Sequence, residues 1–146
     1  MSTALISKVL APVDLSSCSR AALEFAFKLA QPFDAHVEVV FVRPTTPVTP
    51  AGGPEATRDD ELAALKSELH RFVQGVPGAR PHSLAERVET GDPRARIVGI
   101  AESDGYDLIV LGTHGRTGRP RSLAGSVAES VVRTAACPVT TVRESR

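Results

Sequence analysis

Residues 107–127 read DLIVLGTHGRTGRPRSLAGSV. After Asp107 the run LIVL is apolar at odd and even positions alike. Such a strand is buried on both faces, as in a parallel sheet covered by helices. The run ends at Gly112, and Gly115, Gly118 and Gly125 follow, interleaved with Arg116, Arg119 and Arg121. Helical spacing then resumes, with Val127, Val131 and Val132 on a helix from about Leu123 to Ala135. A buried strand, a glycine-rich crossing and a helix make one half of a βαβ unit. The crossing itself is either an ordinary surface turn or a loop shaped around an anion.

The same alternation extends through the rest of the chain. Lys8–Val13 (KVLAPV) is a short apolar strand, and LSSCS after Asp14 starts a helix, with Ser16 or Ser17 accepting from its free N–H groups. Leu23, Ala26 and Ala30, with Phe25 and Leu29, keep helical spacing until Pro32. His36–Val42 (HVEVVFV) is a second strand. The stretch RPTTPVTPAGGP holds four prolines and two glycines and is a loop. From Glu55 to Val73 a second helix places Leu62, Leu65, Leu69, Phe72 and Val73 in one stripe, with acids early and Lys66, His70 and Arg71 late, as the helix dipole favours. Leu84–Glu89 is a weaker third strand. GDPRARIVGIAESDG turns into a helix with Ile97, Ile100 and Ala101 on one face. Asp107–Leu111 is the fourth strand, and PVTTV near the C-terminus is the fifth.

Strands alternating with helices predict an α/β fold: one open five-stranded parallel sheet, Rossmann-like, with helices on both faces. Right-handed crossovers leave few strand orders. The first, second and fourth strands are the most apolar and belong in the middle, which gives the order 3-2-1-4-5. That order reverses direction between strands one and four, and ligands of open α/β sheets bind beyond the carboxyl ends of the strands at such a point. Pro12, Val13, Asp14, Leu111 and Gly112 fall there. With 146 residues, and neither a repeat nor a composition break, the whole chain (1–146) reads as a single domain.

Seventeen basic residues balance seventeen acidic ones, so no global field draws nucleic acid or an anionic membrane, and an anion site has to be local. The longest apolar runs are too short to span a bilayer, and the first residues lack the pattern of a secretory signal. These features place the protein in the cytoplasm. Two cysteines, Cys18 and Cys137, are too few for a disulfide framework or a thiolate metal site. Cys18 stands near a helix start, where a thiol can be activated, but packing is the plainer role for both.

Glycines let backbone N–H groups come close to a ligand, and a helix starting near Ser126 aims further free N–H groups at the same space. Ser126 adds a hydroxyl, and Arg116 adds local positive charge. Asp14 offers a carboxylate to a ribose hydroxyl or an amino group. On glycine content alone, a phosphate cradle and a solvated turn stand level. The P-loop pattern GxxxxGK[ST] and the dinucleotide pattern GxGxxG are both missing. His114 could be an acid or base, and its plainer role is to orient the loop by a side-chain hydrogen bond. His36, His70 and His82 show no metal spacing.

The strand ending PVD before a serine cluster, the strand VVFV, and the closing LIVLGTHGRTGRPRSLAGSVAESVVRTAACPVTTVR together resemble the universal stress proteins of the UspA family, over essentially the whole chain. ATP-binding members of that family carry Gly-x2-Gly-x9-Gly-(Ser/Thr). Gly112, Gly115, Gly125 and Ser126 match it without a gap. The resemblance implies that these four, with Val127 beside them, hold the phosphates and ribose of ATP. It further implies that Asp14 meets the adenosine, that Pro12 and Val13 shape the pocket, and that the backbone at Val42 meets the adenine. ATP is expected as a bound ligand, with or without Mg. Efficient catalysis is not expected, because no general base, catalytic lysine or metal-binding carboxylate pair is placed by the sequence. The expected function is that of a stress-response regulator acting through nucleotide-dependent dimer or partner contacts; the alternative is a weak ATPase or phosphotransferase. The resemblance also implies a homodimer through the fifth strand, whose edge carries Thr140 and Thr141. No role is assigned to the 44–54 loop.

Overall fold

The computed structural model describes residues 4–45, 55–114 and 126–144, with only the backbone of 55–57 and 126. Nine principal elements alternate among the described residues. They are β1 (Lys8–Pro12), α1 (Ser17–Ala30), β2 (His36–Arg43), α2 (Glu55–Gln74), β3 (Leu84–Thr90), α3 (Pro93–Ser103), β4 (Leu108–Gly112), α4 (Ser126–Thr134) and β5 (Val139–Val142). The sheet order is β3-β2-β1-β4-β5, and every neighbouring pair is parallel. This is the expected α/β architecture and the expected order.

Period-two alternation sorts the strand side chains into two cores. On one face Val9, Ala11, Val37, Val39 and Val110 pack against Leu23, Ala26 and Phe27 of α1 and Leu69 and Val73 of α2. On the other, Leu10, Val40, Ile109 and Leu111 pack against Ile97 and Ile100 of α3 and Val131 of α4. The central strands β1 and β4 are buried along nearly their whole length because both their faces are covered.

Local chemistry sets the boundaries. Ser16 caps α1, its hydroxyl accepting from the Ser19 N–H at 3.1 Å. Pro32 does end the helix, but through a short 3-10 turn, Gln31–Phe33, closed by Asp34 at φ 53°. Asp92 caps α3, and Pro93 sits where its missing N–H costs nothing. β4 begins and ends one residue later than the apolar run predicts, and β3 runs on to Thr90. Two residues named for their helical spacing face outward: Phe25 is 40% exposed and Val132 53%, and in α1 Phe27 takes the inward place, buried with Leu23 and Ala26.

The weak pattern of β3 has a reason in its position at the sheet edge. Arg87 and Glu89 lie on the face shared with α3, where Arg87 bonds to Glu38 of β2 (3.2 Å), to Glu89 (2.7 Å) and to Asp104 just beyond α3 (2.9 Å). Arg96 of α3 closes on the other oxygen of Glu89. These ion pairs hold the guanidinium of Arg87 firmly in its charged form. The polar face of this edge strand is thus matched by charge, while Leu84 and Val88 on its other face pack against the apolar core.

Candidate functional site

The cleft lies where the sheet order reverses. Register places Pro12 opposite Val40 and Gly112 opposite Val142, so the carboxyl ends of β2, β1, β4 and β5 open on one edge. After β1, the Val13 N–H still donates to the Val40 carbonyl at 2.9 Å, holding the chain against β2 for one more residue. The chain then turns sharply into α1. Leu15 takes φ 67°, a left-handed conformation unusual for a branched apolar residue. Asp14 Oδ1 accepts from the Ser16 N–H at 3.0 Å, and the Asp14 N–H donates to Ser19 Oγ at 3.4 Å.

On the β4 side, a Cβ added to Gly112 would stand 2.9 Å from Cys18 Sγ and 3.1 Å from the Cys18 backbone C and O. Glycine at 112 is thus required by the close approach of α1, whatever the loop beyond it binds. Cys18 itself is buried, and its thiol donates to the Val142 carbonyl at 3.6 Å, a packed rather than presented sulfur. Burial pushes the thiol of Cys137 up, away from a reactive thiolate. Beyond β4 the Thr113 N–H donates to the Val142 carbonyl (3.0 Å), and Thr113 Oγ1 lies 2.9 Å from His114 Nδ1. The histidine ring is therefore within hydrogen-bond reach of its neighbour's hydroxyl; the loop that it is expected to orient lies outside the described residues.

Between these turns lies a cleft of about 320 Å³, within the range of small-molecule sites. Seven sequence-designated residues line it: Pro12, Val13, Asp14, Val42, Leu111, Gly112 and Val127. Gly115, Arg116 and Gly125 lie outside the described residues, as does the side chain of Ser126, whose backbone begins α4. Arg119, Arg121 and Gly118 lie outside them too. Sequence reasoning did not place Ser19, Val40, Phe41, Pro93, Ile97 or Ala128 in the cleft. For Ile97 the signal was visible as a buried helix face, without any indication that its first turn borders a cavity. The walls are largely apolar and suit a flat heterocycle. The polar groups come from the β1 end (Asp14), the first turn of α1 (Ser19) and the β4 end (Thr113 and His114). The first turn of α4, at Val127 and Ala128, borders the same space.

Among the described residues no cluster of His, Cys, Asp and Glu could hold a metal ion, and no helix is long and apolar enough to cross a membrane.

A sequence model of the universal stress protein family matches residues 6–143. A universal stress protein of Methanocaldococcus jannaschii is 37% identical over 97% of this chain and 85% of its own length. The solved structure of the universal stress protein UspA from Lactobacillus plantarum superposes with a TM-score of 0.80 at 30% identity, covering 94% of this chain and 98% of that one. A universal stress protein solved in complex with cAMP shares the fold, with a TM-score of 0.70 at 21% identity and coverage of 97% and 99%. The chain belongs to the universal stress protein family.

Proposed function

We propose that this protein binds an adenine nucleotide, ATP, in the cleft at the ends of β1 and β4, and that the bound state governs its contacts with a second copy of itself and with a protein partner in a stress response. The observation that carries the reading is the coincidence of the cleft with the Gly-x2-Gly-x9-Gly-Ser spacing, whose first glycine, Gly112, lies on the cleft wall. The apolar walls at Val40, Val42 and Ile97 suit adenine, and Asp14 suits the adenosine hydroxyls or amino group. Gly115, Gly125 and Ser126, with Arg116, hold the phosphates, with or without Mg. That the same fold holds cAMP in another family member supports the class of ligand. The dimer forms by pairing of β5 edges.

Equilibrium titration with ATP, with and without magnesium, tests the reading, with ADP release followed in the same samples. Binding without appreciable release is the expected result. Gly115→Leu is expected to abolish binding while the melting temperature stays within a few degrees, because a side chain fills the cradle. Normal ATP binding by that variant would reject the phosphate assignment. Steady ADP release lost in His114→Ala or Asp14→Ala would instead favour a slow ATPase or phosphotransferase.

A further inference from the structure

Ser19 borders the cleft, is only 4% exposed, and has no role in the site as described so far. Its hydroxyl is committed on both sides. It donates to the Ser16 carbonyl at 3.0 Å and accepts from the Asp14 N–H at 3.4 Å. The helix does not need this hydroxyl. Ser16 Oγ already caps α1 at the Ser19 N–H, and the Ser16 carbonyl already receives the Arg20 N–H at 3.0 Å. What the hydroxyl adds is a tie between the first turn of α1 and the backbone of Asp14. That tie spans Leu15, whose left-handed backbone persists only where its surroundings enforce it. On the other side of Leu15, Asp14 Oδ1 accepts from the Ser16 N–H. The strained residue is thus bracketed by two hydrogen bonds, and both end on Asp14.

We infer that Ser19 is a positioning residue: it locks the Asp14–Leu15–Ser16 turn so that the Asp14 carboxylate is presented at one fixed place on the cleft wall. This rests on the nucleotide reading above, since Asp14 is the group through which Ser19 acts on the ligand. Holding a ligating group in place before binding removes an ordering cost from the binding step.

The test has a part without ligand and a part with ATP. Ser19→Ala keeps a strong helix former in α1, so the fold survives, and a thermal melt checks this. In the ligand-free protein, amide hydrogen exchange at Asp14 and Ser16 is expected to speed up about three- to tenfold in Ser19→Ala, with strand amides unchanged. Unchanged exchange at both positions overturns the inference without touching the nucleotide reading. ATP is then titrated into wild type, Ser19→Ala, Asp14→Asn and the double variant. Ser19→Ala is expected to weaken Kd about three- to tenfold, and the double variant to bind no worse than Asp14→Asn alone. Losses that multiply in the double variant overturn the inference, because Ser19 would then act independently of Asp14. Wild-type protein that does not bind millimolar ATP overturns the nucleotide reading and this role together, and the wild-type titration alone identifies that case.

Discussion

At the scale of single residues, Gly112 carries two demands. The proposed nucleotide site gives it to phosphate, whereas the packing requires it to lack a side chain because α1 begins against it. Gly112→Ala is expected to lower stability by about 1–3 kcal/mol, the usual penalty for overpacking. For a chain of this length that is a fall of roughly 2–10 °C in melting temperature. ATP binding is expected to weaken as well, since the part of the chain pushed away, around Cys18, adjoins Ser19 and the Asp14 turn. Adding Cys18→Ala is expected to restore only part of the stability, because the Cys18 backbone, at 3.1 Å, also crowds the added carbon. Calorimetry on the wild type and the two variants decides it, and an unchanged melting temperature in Gly112→Ala would show that the helix shifts freely. The sequence pointed to Gly112 but not to this reason, which depends on two residues far apart in the chain meeting. Ser19 was hidden for a similar cause. In LSSCS the sequence offers Ser16 or Ser17 as the cap, and only the turn geometry shows that Ser16 caps while Ser19 ties Asp14.

At the scale of elements, the clearest clamp joins the start of β1 to the start of β4. One oxygen of Asp107 accepts from the Ser7 N–H (2.8 Å), the Ser7 hydroxyl (2.9 Å) and the Lys8 N–H (2.9 Å). These bonds favour the carboxylate and, led by the Ser7 N–H, pull its pKa below the ordinary aspartate range. A depressed carboxyl contributes stability that is present above the unfolded value, about pH 4, and is lost as pH falls through the lower folded value. Asp107→Ala is expected to destabilise the protein at pH 7 by about 1 kcal/mol, a modest figure because solvent reaches this end of the sheet. It is also expected to flatten the stability loss below pH 4. Urea unfolding from pH 7 to pH 2 measures both, and parallel pH curves for the two proteins would assign the acid sensitivity elsewhere. The elements themselves were legible because each strand and helix carries its own period, and apolarity on both faces correctly placed β1, β2 and β4 in the middle. Ends were less legible. The apolar run of β4 does not reveal that Asp107 is spent on the clamp, and the alternating pattern of β3 does not reveal that Arg87 is matched by three carboxylates, from β2, from β3 itself and from just beyond α3.

At the scale of the whole molecule, the two edges of the sheet are finished differently. β3 has Arg87 and its ion pairs along one face, whereas β5 is short and carries Thr140 and Thr141. The Ile109 N–H donates to the Pro138 carbonyl at 3.0 Å, and the Thr113 N–H to the Val142 carbonyl at 3.0 Å. Alternation along a parallel ladder then turns the backbone groups of Val139 and Thr141 away from β4, toward the open edge. If two copies pair through β5 as proposed, those outward groups make the contact. Thr141→Pro removes one outward donor while leaving the β4–β5 ladder its own bonds, a substitution that edge strands tolerate. Sedimentation equilibrium is expected to show a dimer for the wild type and a predominantly monomeric Thr141→Pro, with both proteins equally folded. Because the cleft and β5 are joined through Gly112, Thr113 and Val142, ATP bound there as proposed is expected to shift the wild-type monomer–dimer balance and to leave the variant monomeric. A Thr141→Pro protein that remains dimeric would move the contact to another surface, and a wild-type balance indifferent to saturating ATP would separate the nucleotide site from assembly.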